Sequence, residues 1–330
     1  MENFKLLTYQ EEKKLNSEEL KEYYKKLRDY CKIRKLTNCT QGINNVAPKL
    51  RKPTIKIAKE LTYLLTDKNV EWICDGLEYI PDGQCIFAYT HQGMLDNFIW
   101  IPFVDKHCPI LHGAGVNKLL LLSQLNTGLI LVKKGDKENN MNAKLDMIKL
   151  LLTDHSITYF PEGTWNLSPN KLHLPMSYGF LDTARKAKVP VIPCVHEFTY
   201  DPDSSKEKIL KIHTRYGTPI YVNENDNLLE KLEEYKEKIS SIRYELIEEK
   251  GIFRRKDINN LEYINFLKGN YKNLKMAQLD LDKERKYIYG SDDEFYKFFH
   301  INEVPFDENN NLLDTEENIR LKKMNFKHHI

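Results

Sequence analysis

The sequence predicts an α/β protein: a mostly parallel central sheet flanked by helices, with N-terminal amphipathic helices and a C-terminal, mainly helical extension. Three observations predict it. Short strand-compatible runs recur between residues 71 and 216, helical periodicity fills most of the intervals, and two of the runs end on turns that carry titratable side chains. The boundaries this suggests are residues 1–69 for the N-terminal helices, 70–250 for the α/β domain and 251–330 for the extension. At 330 residues the chain is long enough to bury a substantial core.

From Ser17 to about Lys35, Leu20, Tyr23, Tyr24, Leu27, Tyr30 and Cys31 recur at helical spacing. A polar break from Thr37 to Ala47 follows. Pro53 suits the first position of a second helix, in which Ile57, Leu61, Leu64 and Leu65 share one face while Lys52, Lys56 and Lys59 lie away from it. Basic residues beside an apolar stripe fit two situations: a helix resting in a lipid interface, or one packed on its own core.

Strands are expected at Glu71–Cys74, Cys85–Tyr89, Pro109–His112, Leu129–Lys133, Ile157–Phe160, Val191–Phe198 and Lys211–Tyr216. Helices are expected near Leu95–Val104, Asn117–Leu125, Asn142–Leu152, Ser177–Lys186 and Leu228–Glu249. Beyond Gly251 the chain is aromatic and charged, with helical pieces around Asn260–Leu267 and Asp292–Phe299.

Composition narrows the function. A formal net charge of +2 gives no global push toward nucleic acid, and none is expected as a partner. Six scattered cysteines without a CxxC pair point to free thiols in a reducing cytoplasm. The longest apolar run, Leu119 to Val132, is broken by Ser123, Gln124, Asn126, Thr127 and Gly128, so contact with a membrane is expected to be peripheral. His107, His112, His173 and His196 form no metal-ligand pattern, and Gly113-Ala114-Gly115 lacks the third glycine of a dinucleotide loop.

Two stretches carry chemistry. Thr90 to Asn97, THQGMLDN, puts His91 where a buried strand ends and Asp96 five positions later, near the start of the next apolar segment. A neighbouring carboxylate fixes an imidazole's tautomer and leaves the second ring nitrogen to remove a proton from a hydroxyl. Taken alone, the pair is better read as a strand cap and a helix cap with no chemistry. Tyr159 to Pro169, YFPEGTWNLSP, places Glu162 on a turn at a second strand end.

Together they resemble the glycerolipid acyltransferase superfamily, the glycerol-3-phosphate and 1-acylglycerol-3-phosphate acyltransferases, whose HxxxxD and FPEGT motifs match His91 with Asp96 and Phe160 through Thr164. Val189-Pro190-Val191-Ile192-Pro193 and Gly217-Thr218-Pro219-Ile220 extend the likeness over roughly residues 70–245. The resemblance implies O-acyl transfer from an acyl thioester, acyl-CoA or acyl carrier protein, to a hydroxyl of a lysophospholipid or related glycerolipid at the cytoplasmic face of a membrane, with no cofactor beyond the donor and no metal. His91 is then the general base and Asp96 its orienting partner. Glu162, Gly163 and Thr164 fall to acceptor binding. No GxSxG elbow offers a covalent nucleophile.

The sequence departs from the family where anions are bound. Trp165 and Asn166 follow FPEGT where the family commonly has Arg, and Gly128 leads to Lys134 rather than Arg. Positive charge is retained at Lys134, but the bidentate fork is lost. Lys118 is the candidate for stabilising the oxyanion, and Trp165 shapes the acceptor side. Two rival readings stay open at this point, a non-catalytic lipid-binding protein on the same fold and a thioesterase.

Overall fold

In the computed structural model, the residues described are 4–42, 53, 55–60, 70–92, 96, 99, 101–113, 128–133, 135–163, 166, 172–200 and 210–250. Their strands are β1 (Thr40–Gln41), β2 (Val70–Asp75), β3 (Ile86–Tyr89), β4 (Ile110–Gly113), β5 (Leu129–Val132), β6 (Ile157–Tyr159), β7 (Val191–Tyr200) and β8 (Leu210–Tyr216). The helices are α1 (Tyr9–Glu12), α2 (Ser17–Ile33), α3 (Lys137–Leu152), α4 (Gly179–Ala187) and α5 (Leu228–Lys250).

These strands form one sheet in the order β1-β5-β4-β6-β3-β7-β8-β2. Pairing is parallel except between β1 and β5 and between β7 and β8. The mostly parallel α/β class is therefore observed. The central strand β3 is buried along its whole length, as a strand covered on both faces must be. Ile86, Ala88, Ile130, Ile157, Val191 and Val195 join one core with Leu27, Ile148, Leu151, Phe180, Leu181, Tyr235 and Ile239 of the helices.

Local chemistry fixes the helix ends. Asn16 accepts from the N–H groups of Glu18 and Glu19 at 3.0 Å, and Glu19 returns a bond to the Asn16 N–H at 2.9 Å, a reciprocal cap that starts α2. Asp136 caps α3 through the Asn139 N–H.

Buried charge ties the N-terminal segment to the domain. Glu12 meets Lys186 at 2.5 Å and also Arg185, while Asp182 meets Arg185 and Lys186 at 2.6 Å each and also Lys144. The Tyr24 hydroxyl donates to Glu12 at 3.0 Å. Glu12, Asp182, Arg185 and Lys186 are all buried.

Three expectations are corrected. Of the helix expected near Leu95–Val104, the described residues show 3-10 geometry at Asp96, with Ile99 N–H to Asp96 C=O at 3.4 Å, and turns at residues 101–103 in place of an α-helix. Pro102 has no N–H to give to an α-helical ladder. In the helix after Pro53, residues 55–60 are helical, but Ile55 and Ala58 face the core while Ile57 is 53% exposed. Lys59 does not lie in open solvent; it reaches Asp105 at 2.5 Å. The polar break from Thr37 contains the edge strand β1. The helix expected near Asn117–Leu125, the positions Leu61, Leu64 and Leu65, and the extension 251–330 lie outside the described residues. All six cysteines are unbonded thiols.

Candidate active site

β3 ends at Tyr89 and β6 ends at Tyr159, adjacent parallel strands whose next residues carry both motifs to the same sheet edge. His91 Nδ1 lies 2.7 Å from Asp96 Oδ2. The same oxygen accepts the Gln92 N–H. Burial alone would push the Asp96 carboxyl up, but His196 and then His91 outweigh it and hold the group well below the usual carboxylate range. An ionised Asp96 can only accept, so Nδ1 carries the proton of a neutral His91 ring and Nε2 is its basic nitrogen. The imidazole stacks on Phe160, with ring centroids 4.4 Å apart and planes at 23°.

Glu162 holds the loops together. Its Oε1 accepts the His91 backbone N–H at 3.0 Å, and its Oε2 accepts the Leu174 N–H at 2.8 Å. The Asn166 N–H closes on the His91 carbonyl. The His91 peptide is thus gripped on both sides by the second motif's loop. Gly163 completes the turn at φ 65°, a left-handed conformation that a side chain disfavours, and is exposed.

Burial pushes the Glu162 carboxyl from 4.5 up to about 7, against the opposing pull of the Arg243 guanidinium and the two backbone N–H groups. A raised carboxyl pKa favours the neutral folded form, so the associated stability is fully present below 4.5 and is lost as pH rises toward 7. Glu162→Gln is therefore expected to flatten the pH dependence of unfolding across that window by roughly 3 kcal/mol at most. Urea unfolding at stepped pH measures it; a variant with the parent's slope contradicts the assignment.

His196, on β7, was not singled out by sequence reasoning. Its Nε2 lies 2.9 Å from Asp96 Oδ1, and both residues are fully buried. Strand alternation offered a signal, because His196 stands two residues beyond Cys194, which pairs with Tyr89 beside the motif. Arg243 was hidden in the charged run of α5; it meets Glu197 at 2.6 Å and donates to the Leu172 carbonyl at 2.6 Å. Burial holds the His112 imidazole on β4 below the ordinary histidine value, against the opposing pull of the Gly113 carbonyl. Thr164, Trp165, Lys134 and Lys118 lie outside the described residues.

Residues 71–197 match a protein-family model described as Acyltransferase. No curated protein matches the chain. Among solved structures, the chain is similar to the crystal structure of the 1-acyl-sn-glycerophosphate (LPA) acyltransferase PlsC from Thermotoga maritima. Identity is 21%, coverage is 62% of this chain and 85% of that one, and the TM-score is 0.44. The matched span contains His91, Asp96, Glu162 and His196, the residues that converge at the sheet edge.

Proposed function

We propose that this domain is an O-acyltransferase that moves a fatty acyl group from acyl-CoA or acyl carrier protein to a hydroxyl of a lysophospholipid or related glycerolipid. The observation that carries the reading is the 2.7 Å contact between His91 Nδ1 and the ionised Asp96, which makes Nε2 a base. The acceptor hydroxyl gives its proton to Nε2 as its oxygen attacks the thioester carbonyl carbon. Collapse of the tetrahedral intermediate breaks the carbon–sulfur bond, and the leaving thiolate takes that proton back from the imidazolium. Asp96 stabilises the imidazolium between the two steps.

Glu162 serves acceptor binding by fixing the His91 and Leu174 backbones, with Gly163 exposed at the turn. Thr164, Trp165 and Lys134 shape the rest of the acceptor site, and Lys118 stabilises the oxyanion. Among the described residues no helix is long and apolar enough to cross a membrane. Ile57, exposed beside Lys56, supports peripheral contact with an anionic, cytoplasmic-face lipid surface.

The test supplies oleoyl-CoA or oleoyl-acyl carrier protein with a lysophospholipid panel in neutral and anionic vesicles, and follows thiol release and product mass. Acceptor-dependent release with an acylated product, faster on anionic vesicles, is expected. Equal release without acceptor indicates a thioesterase, and retained lipid without thiol release indicates a binder; either outcome overturns the proposal.

A further inference from the structure

We infer that His196 is a positioning residue for the base, holding the Asp96 carboxylate so that only one of its oxygens faces His91. This rests on the reading of His91 as the base. Asp96 Oδ2 is committed to His91 Nδ1 at 2.7 Å and to the Gln92 N–H, and Oδ1 lies 2.9 Å from His196 Nε2. A carboxylate held at both oxygens does not turn.

His196 is in turn tied to the segment that carries His91. Its Nδ1 lies 3.4 Å from the Thr90 hydroxyl, its backbone N–H reaches the same hydroxyl at 3.4 Å, and its carbonyl accepts the Gln92 side-chain amide. Thr90 N–H also bonds the Cys194 carbonyl at 3.0 Å. One residue of β7 therefore grips the chain immediately before and after His91, and the acid that orients it. On this inference the proton of His196 lies on Nε2, the nitrogen beside Asp96 Oδ1, and Nδ1 is left to accept from the Thr90 hydroxyl.

The consequence for proton transfer is specific. When His91 takes a proton from the acceptor, Asp96 keeps its contact with His196 and stays in place, so the imidazolium forms against a fixed charge. Without His196, Oδ1 loses its 2.9 Å contact on β7, the carboxylate gains freedom to rotate, and His91 can adopt the wrong tautomer.

Long-range proton–nitrogen NMR on the full chain labelled with ¹⁵N-histidine, at mildly alkaline pH, reads both rings without any substrate. The parent is expected to show His196 protonated on Nε2 and His91 on Nδ1. His196→Leu is expected to show His91 as a mixture of tautomers and, with oleoyl-CoA and the lysophospholipid panel, kcat lower by about 10- to 100-fold with KM nearly unchanged. His196→Gln, whose amide nitrogen replaces Nε2, is expected to restore both readouts.

An unprotonated Nε2 on His196 in the parent overturns the inference, as does an unaltered His91 spectrum in His196→Leu. If the leucine variant does not fold, the parent spectrum and the glutamine variant still decide. Transfer that survives His91→Ala sinks the base assignment itself, whereas loss of transfer in that variant with an unaltered His91 tautomer in His196→Leu sinks only this inference.

Discussion

His91→Ala is expected to lower acceptor-dependent thiol release by roughly 100- to 10,000-fold, the usual range for a positioned general base. Stability should fall far less. The ring's losses are the Phe160 stack, about 1 kcal/mol, and the 2.7 Å contact with buried Asp96, about 1–3 kcal/mol, while the backbone bonds to Glu162 and Asn166 need no imidazole. Asp96→Asn separates orientation from presence, because an amide can present N–H to Nδ1 and favour the unproductive tautomer. Thermal melts beside the thiol assay check both variants. A folded His91→Ala protein with full acceptor-dependent turnover rules His91 out as the base.

The largest expected effect on stability is at Asp182. Its two oxygens serve Lys144, Arg185 and Lys186, so Asp182→Asn leaves buried cations with Glu12 as the remaining carboxylate among these partners. Breaking one side of a buried ionic network costs roughly 3–5 kcal/mol. Denaturant unfolding is expected to show a loss of that size, with activity retained by the folded fraction. Burial pushes the Asp182 carboxyl up, but Lys144, Lys186 and Arg185 outweigh it and hold the group well below its ordinary value. A depressed carboxyl pKa contributes stability above the unfolded value, about 4, that is lost as pH falls below it. The parent should therefore lose stability on acidification more steeply than Asp182→Asn. Parallel acid unfolding curves would show that the network does not act through Asp182.

The strands were legible because buried parallel strands announce themselves as apolar runs; β3, β5 and β7 fall within a few residues of expectation. Within the helix expected near Leu95–Val104, residues 101–103 are turns: apolar residues look helical when packing is the only signal, but Pro102 cannot donate to an α-helical ladder. The exposed face around Ile57 was misread because periodicity identifies a stripe before it identifies what covers it.

At the site, His91 and Asp96 were readable because they lie five positions apart in one loop. His196 was not, since its link to Asp96 is made by the β3–β7 pairing and not by the sequence between them. Arg243 was invisible for the same reason: a long charged helix hides the one cation that turns inward to Glu197.

The ion cluster around Glu12 bears on what counts as a unit. The family match spans residues 71–197, yet Arg185 and Lys186 inside it find a carboxylate at position 12, and Glu197 at its end finds Arg243. The Tyr235 hydroxyl donates to the Ala88 carbonyl of the central strand at 3.0 Å from outside the matched span as well. A fragment cut to the matched span would break three ion pairs, leaving Arg185 and Lys186 without Glu12 and Glu197 without Arg243, so similarity and cooperativity draw different borders on this chain. The span that matches the family model is smaller than the region tied together by these buried contacts.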